Sequence, residues 1–373
     1  MPDYKIHEVV SKKDLNRFIS FPDILYKDCP QYVPALHGGE RKALTDGIST
    51  ARYCPHKLWI VTDGKKVVGR ICAIVNPRYI ERFGLKRARF GWFDTIDDFE
   101  VAKLLIGTAE DWAREMGMDE IHGPLYYNTL GKQGMLVEGF ENIPQFNTIY
   151  NFPYYNDFVT RLGYEKELDW LQYKMPACQD IPEKVVRVSK MLYGRYDLHE
   201  GSIDRMKKDP QLVMRFFDVY NESFAGTVNN FVPFTKEEMT EELGSVLPYL
   251  SDKTSIVILD KDDDLVAFAV CFPSISRALQ KAKGHLFPFG WFHLLKALRN
   301  YRDMDLMLNG AVDKYQNTGV SSLLHIGTSE RCHRNGSVWT VTNPQIEGIS
   351  ATNTWGRYDH EPYMRRRCYL KHL

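Results

Sequence analysis

The most informative segment of this sequence reads Ala311-Val312-Asp313-Lys314-Tyr315-Gln316-Asn317-Thr318-Gly319-Val320-Ser321-Ser322-Leu323-Leu324. Residues 304–312 are rich in apolar side chains and read as a strand. Residues 321–335 read as a helix that stops at Asn335-Gly336. A strand that passes through a short polar turn straight into a helix brings successive backbone N–H groups to one point. The unsatisfied N–H groups of the first helical turn and the helix dipole add to them, and the result is a receptor for a pyrophosphate. Gly319 matters there because a side chain would hold the phosphate away from the backbone. On spacing alone, an ordinary strand-to-helix turn would look the same.

Working outward, the order of elements carries more. In the second half, helices are expected over 211–224 and 236–247. A hairpin pairs 255–259 with 265–272 across an acidic turn, and aromatic-rich helices fill 274–300. A strand at 338–342, a helix over 345–355 and a final strand at 363–370 complete it. The first half opens with a strand at 4–9 and a helix that Ser11 can cap. Residues 58–61 and 67–75 flank Asp63-Gly64, the strongest hairpin signal in the chain. A strand at 89–96, a helix over 100–116 stopped by Gly117, and strands at 119–122 and 168–175 follow. Both halves therefore read as mixed α/β layers, with 1–176 and 185–373 as domains and 176–184 as the linker. The tetrad Phe-Gly-Trp-Phe at 90–93 recurs at 289–292, in a strand and then at a helix start, and is read as coincidence.

With the order in place, Gln316-Asn317-Thr318-Gly319-Val320-Ser321 resembles the Q/R-x-x-G-x-G/A acyl-CoA signature of the GNAT N-acetyltransferase superfamily. The strand, helix and basic aromatic strand downstream follow the same order, and Trp355-Gly356-Arg357-Tyr358 resembles a turn that the family carries there. The resemblance covers about residues 205–373 and more faintly the first half, and so implies two tandem GNAT-like domains. It also implies an acyl-CoA-dependent N-acyltransferase that uses acetyl-CoA or another acyl-CoA. The co-substrate would be held by Val312, Gln316, Asn317, Thr318, Gly319, Val320 and Ser321, and the acceptor would be a small-molecule amine. Two departures stand out. Ser321 occupies a Gly/Ala position, and Thr352 stands where the family often has the Tyr that serves as general acid, so no catalytic residue is assigned. A non-catalytic ligand-binding or regulatory module that retains the fold is the alternative, because a fold does not by itself imply turnover. In the first half, the corresponding loop, Thr95-Ile96-Asp97-Asp98-Phe99-Glu100, lacks glycine and carries three acids. That half is expected to be degenerate for CoA.

Composition narrows the classes further. Lys+Arg and Asp+Glu are both 48 in 373 residues. Whole-chain charge therefore favours neither nucleic acid nor a membrane as partner. The N-terminal residues contain no apolar signal region, and seven cysteines without a CxxC pair read as reduced thiols. A cytoplasmic protein is expected. No metal-ligand spacing is present, so no metal is expected. Weaker substrate candidates are Glu138 and Glu141 in the glycine-rich loop 130–144, and Tyr154 and Tyr155 at a helix start. Arg365 to Arg367 are read as alternating across an edge strand.

Overall fold

The computed structural model describes residues 2–177, 181, 183–225, 231–244, 246–316, 318–348 and 358–373. They form two compact units. The first comprises Met1–Leu171, Ser276–Leu294 and Met364–Leu373; the second comprises Gln172–Ile275 and Leu295–Tyr363. The stretch 185–373 thus contributes two segments to the first unit.

In the first unit the strands are β1 (Tyr4–Glu8), β2 (His56–Asp63), β3 (Lys66–Val75), β4 (Arg87–Thr95), β5 (Glu120–Gly123), β6 (Met135–Glu138) and the start of β7 (Glu165–Pro176). Antiparallel pairing links β1 to β4 in order, and β5 joins β4 in parallel. The Asp63-Gly64 turn forms as read, with Gly64 at φ 55, a left-handed value that favours glycine. The Phe99–Glu115 helix packs Val101, Ala102, Leu105, Ile106 and Ala109 on the sheet as one apolar stripe. Ser11 caps the Lys12–Leu25 helix by accepting from Asp14 N at 3.0 Å.

The second unit contains the end of β7, then β8 (His199–Gly201), β9 (Ile256–Leu259), β10 (Leu265–Pro273), β11 (Asp303–Ala311), β12 (Trp339–Thr342), β13 (Gln345–Ile346) and the start of β14 (Glu361–His372). Its sheet runs β7-β12-β11-β10-β9-β8. Strands β9 and β10 are buried along their whole length, which suits a sheet covered on both faces. The Pro210–Ala225 helix buries Phe216, Phe217, Val219 and Tyr220, and Phe216 packs its ring on Phe268 at 4.6 Å.

Three expectations need correction. Residues 130–144 are not a plain loop, because β6 lies within them and pairs antiparallel with β14, Leu136 opposite Arg366. For the same reason Arg365 to Arg367 are not on an edge, since β14 lies between β5 and β7 in the sheet order and β6 also pairs with it along Arg365–Arg367. Arg365 and Arg367 both bond Asp169, and Arg366 is fully buried and donates to Thr148 Oγ1 at 2.9 Å. Finally, Gln345–Ile346 is a strand and Glu347-Gly348 a turn where a helix was expected, and 349–355 lie outside the described residues.

A buried ion pair holds the first unit's core in register. Arg70 Nε donates to Asp94 Oδ2 at 2.7 Å, and Arg70 Nη1 donates to Phe18 O at 2.9 Å. Tyr26 donates to the other Asp94 oxygen at 2.8 Å. Burial pushes the Asp94 carboxyl up while Arg70 draws it down. Asp94→Ala would leave a guanidinium uncompensated and is expected to cost about 3–5 kcal/mol, read from urea unfolding. Arg70→Met with Asp94→Leu should recover most of that loss.

Candidate functional site

In the second unit, β11 ends at Ala311, residues Asp313–Tyr315 form one 3-10 turn, and the Ser321–Asn335 helix follows. Gly319 has φ 91, so the chain turns there through a conformation that side chains resist. The helix starts without a side-chain cap and has no acid in its first turn. Among the described residues, the N–H groups of Gly319, Val320 and Ser321 find no acceptor. Gly319 and Ser321 are exposed, while Val312, Tyr315 and Val320 are buried beneath them. The side chains brace the turn from inside: Thr318 Oγ1 donates to Tyr315 O at 2.6 Å, and Gln316 Nε2 donates to Asp313 Oδ1 at 2.8 Å. Of the expected residues, then, Gly319 and Ser321 present exposed backbone donors, Val320 is buried between them, and Val312, Gln316 and Thr318 fix the shape. Asn317 lies outside the described residues.

Beside this turn the sheet divides. Strands β11 and β12 pair in parallel from Asp303 opposite Trp339 to Leu306 opposite Thr342, and Asn343 N makes one more bond to Leu306 O at 2.7 Å. Among the described residues, β11 has no strand partner on that side from Met307 onward. Its register with β10 slips by one residue there, Val270 opposite Leu308 and Cys271 opposite Leu306, so Met307 is a bulge. Thr342 is tied back by Gln172 Nε2, which donates to its carbonyl at 2.9 Å. The Ser321–Asn335 helix also carries His325, which the sequence reading passed over. Its ring stacks on Tyr358, with centroids 5.9 Å apart and planes at 12°. Burial pushes the His325 imidazole down to about 4, so it is neutral near pH 7 and resists protonation. Thr352 and the turn at 355–357 lie outside the described residues.

The first unit repeats the plan with its openings filled. Strands β4 and β5 pair in parallel only from Arg87 to Arg89, and β4 is bulged near Trp92, which takes φ 46. Residues 124–127 then lie across the gap. Leu125 N bonds Phe90 O at 2.8 Å, and Tyr126 stacks on Trp92 at 3.5 Å. The Phe99–Glu115 helix is capped by Asp98, whose carboxylate accepts from Glu100 N at 2.9 Å and from the Tyr4 hydroxyl at 2.7 Å. A carboxylate thus occupies the place a phosphate would need. Tyr155 is fully buried, with its hydroxyl on Thr95 N at 2.8 Å, and Tyr154 donates to Thr95 O at 2.7 Å. Glu138 and Glu141 are exposed, and Glu138 pairs with Arg365 at 3.2 Å. The structure does not gather these four into one site. His122, Glu167 and Cys368 do place possible ligand atoms within 4.8 Å of one another. Arg87 already supplies positive charge there, 2.6 Å from Glu167, and no metal is assigned.

No family model matches the chain. Protein YghO of Escherichia coli is 29% identical over 386 residues, which span 99% of this chain and 95% of that protein. The bacterial ceramide synthase of Caulobacter vibrioides is 28% identical over 331 residues, 86% of this chain and 84% of that one. Among solved structures, the tandem GNAT protein from the clavulanic acid biosynthesis pathway superposes with a TM-score of 0.57 at 10% identity, over 99% of this chain and 98% of its own. An N-acetyltransferase of Sphaerobacter thermophilus gives 0.55 at 10% identity, over 100% and 96%. A glucosamine N-acetyltransferase region of a fungal multi-domain β-N-acetylglucosaminidase gives 0.60 at 12% identity. That match covers 100% of this chain and 38% of the fungal one. The chain has the tandem GNAT-like fold.

Two imidazoles contribute to the acid limb of stability above pH 4. Burial lowers both His122 and His325 to about 4. Between there and the ordinary value near 6.5, the unfolded chain binds protons that the folded chain does not, so stability is complete above that window and falls as pH drops through it. Urea midpoints measured at pH 7.5 and pH 5 should differ, and His325→Gln should shrink the difference by at most about 2 kcal/mol.

Proposed function

We propose that this chain is an acyl-CoA-dependent N-acyltransferase that holds its acyl donor on the 316–321 turn of the second unit. One contrast carries the reading: the Ser321–Asn335 helix begins on a glycine with unspent N–H groups, whereas the matching helix of the first unit is capped by Asp98. Gly319 and Ser321 would bond the pyrophosphate, and the dipole of the helix they open would favour its charge. The free side of β11 from Met307 to Ala311 offers backbone groups to an extended pantetheine arm in the manner of an added strand. Bound there, the donor supplies a thioester carbonyl open to attack by an amine. The chain's task is then to position a neutral amine and to place an N–H where negative charge develops. The Met307 bulge, which breaks the regular alternation of the strand, is the proposed source of that donor.

The acceptor we propose is a long-chain amino alcohol. A ceramide is the amide of a fatty acid with such an amine, and the Caulobacter vibrioides relative carries that name. The GNAT-like neighbours support acyl transfer as the reaction class.

Two measurements test the reading. Calorimetric titration of CoA should show binding to the wild type and at least about a hundredfold loss in Gly319→Asp, which sets a carboxylate beside the phosphates. Asp97→Ala should bind as the wild type does. A thiol-release assay with acyl-CoA should respond to long-chain amino alcohols above short amines. CoA binding without thiol release for any amine would favour a binding module, and undiminished binding by folded Gly319→Asp would remove the donor site.

A further inference from the structure

Between β10 and β11 the chain makes an excursion that the acyl-donor site does not use. The Ser276–Ala282 helix is anchored on the first unit: Ala278, Leu279 and Ala282 are buried, and Ser276 Oγ donates to Pro144 O at 2.8 Å. Gln280 Nε2 reaches Pro30 O and Tyr32 O, and His37 N donates to Gly284 O at 2.9 Å. Lys283 and Gly284, at φ 48 and 75, reverse the chain into a tight tip. The tip is closed by Trp291 N on Leu286 O at 2.8 Å and by Gly290, whose missing Cβ would strike His285 O. So small a turn has no interior for its own side chains. Phe287 is 79% exposed, Phe289 71%, Phe292 54%, Trp291 45% and Leu286 40%. The same tetrad, Phe-Gly-Trp-Phe, is wholly buried in β4. Contiguous exposed apolar side chains in a folded protein mark a surface that something covers.

The charges around the tip say what. Arg277, Lys281 and Lys283 are exposed beside it, and Lys296, Arg299 and Arg302 follow in the chain. No Asp or Glu occurs between Asp264 and Asp303, although the whole chain balances at 48 of each sign. A second copy of this tip would bring like charges together, whereas a polyanionic surface meets both the cations and the rings. We propose that residues 285–292 are a peripheral membrane anchor, with Phe287, Phe289 and Trp291 seated among the headgroups of an anionic phospholipid bilayer and Lys281 and Lys283 on its phosphates. No helix among the described residues is long and apolar enough to cross a membrane, and the tip lies on the surface without crossing. The expectation of no membrane partner rested on the whole-chain charge balance and on the lack of an apolar run of spanning length, and neither measures a local surface patch such as this one. The anchor is independent of the donor site and would bring the chain to substrates dissolved in the bilayer.

The test is co-sedimentation of the full chain with vesicles of equal parts phosphatidylglycerol and phosphatidylcholine, and with vesicles of phosphatidylcholine alone. Binding to the mixed vesicles is expected, with at least about a tenfold loss on pure phosphatidylcholine, in Phe287→Ser/Phe289→Ser, and in Lys281→Glu/Lys283→Glu. These side chains are exposed, so the variants should keep the wild-type circular dichroism and CoA affinity. Absence of sedimentation by folded wild type, or undiminished sedimentation of Phe287→Ser/Phe289→Ser, would overturn the anchor. So would light scattering that finds a wild-type dimer which the same pair of substitutions dissociates, because the tip would then be covered by a second copy.

Discussion

A parallel strand pair that parts after a few residues leaves a row of backbone N–H and C=O groups that must be satisfied. The structure meets that constraint twice and resolves it in two ways. In the second unit, β11 and β12 separate beyond Leu306 and Thr342, and the described residues leave the far side of β11 unpaired. In the first unit, the gap after Arg89 is closed by the chain's own residues 124–127. Everything proposed about the chemistry follows from that difference. A filled gap completes a core, and an open one beside a turn with unspent N–H groups is the place proposed for an extended ligand.

The helix starts reinforce the same division. A helix with unsatisfied N–H groups needs an acceptor, and the Phe99–Glu115 helix takes it from Asp98 in the chain itself. The Ser321–Asn335 helix has no such residue, and Gly319 keeps the approach open. The first unit's charges are turned inward: Arg70, Asp94, Tyr26 and Tyr155 form a buried network whose members satisfy one another. Such a network specifies a core.

Much of this was legible in the sequence because the signals were local. The Asp63-Gly64 hairpin, the apolar stripe of the Phe99–Glu115 helix, the stop at Gly336 and the turn at Gly319 each follow from a few neighbouring residues. The features that escaped depend on distant partners. Strand β6 has four residues, and its partner β14 lies at the other end of the chain. Three consecutive arginines give no periodicity, so nothing local reveals that Arg366 is buried between two half-buried neighbours. The excursion at 276–294 joins the first unit from within the second half, which no composition shift announces. His325 lay in plain view on the helix after Gly319. Its importance rests on the stacking of Tyr358, which is a tertiary contact. The basic, acid-free run to 302 was visible too, but a net charge of zero averaged it away.

The account's central claim is that the ligand-binding half of this chain is the one whose strand gap is open and whose helix start is unspent. Hydrogen–deuterium exchange with and without CoA tests it most directly. Slowed exchange at the amides of Gly319, Val320 and Ser321 and along 307–311, with no change over 96–100, is the result expected. Protection over 96–100, or no protection at 319–321 at saturating CoA, would contradict it.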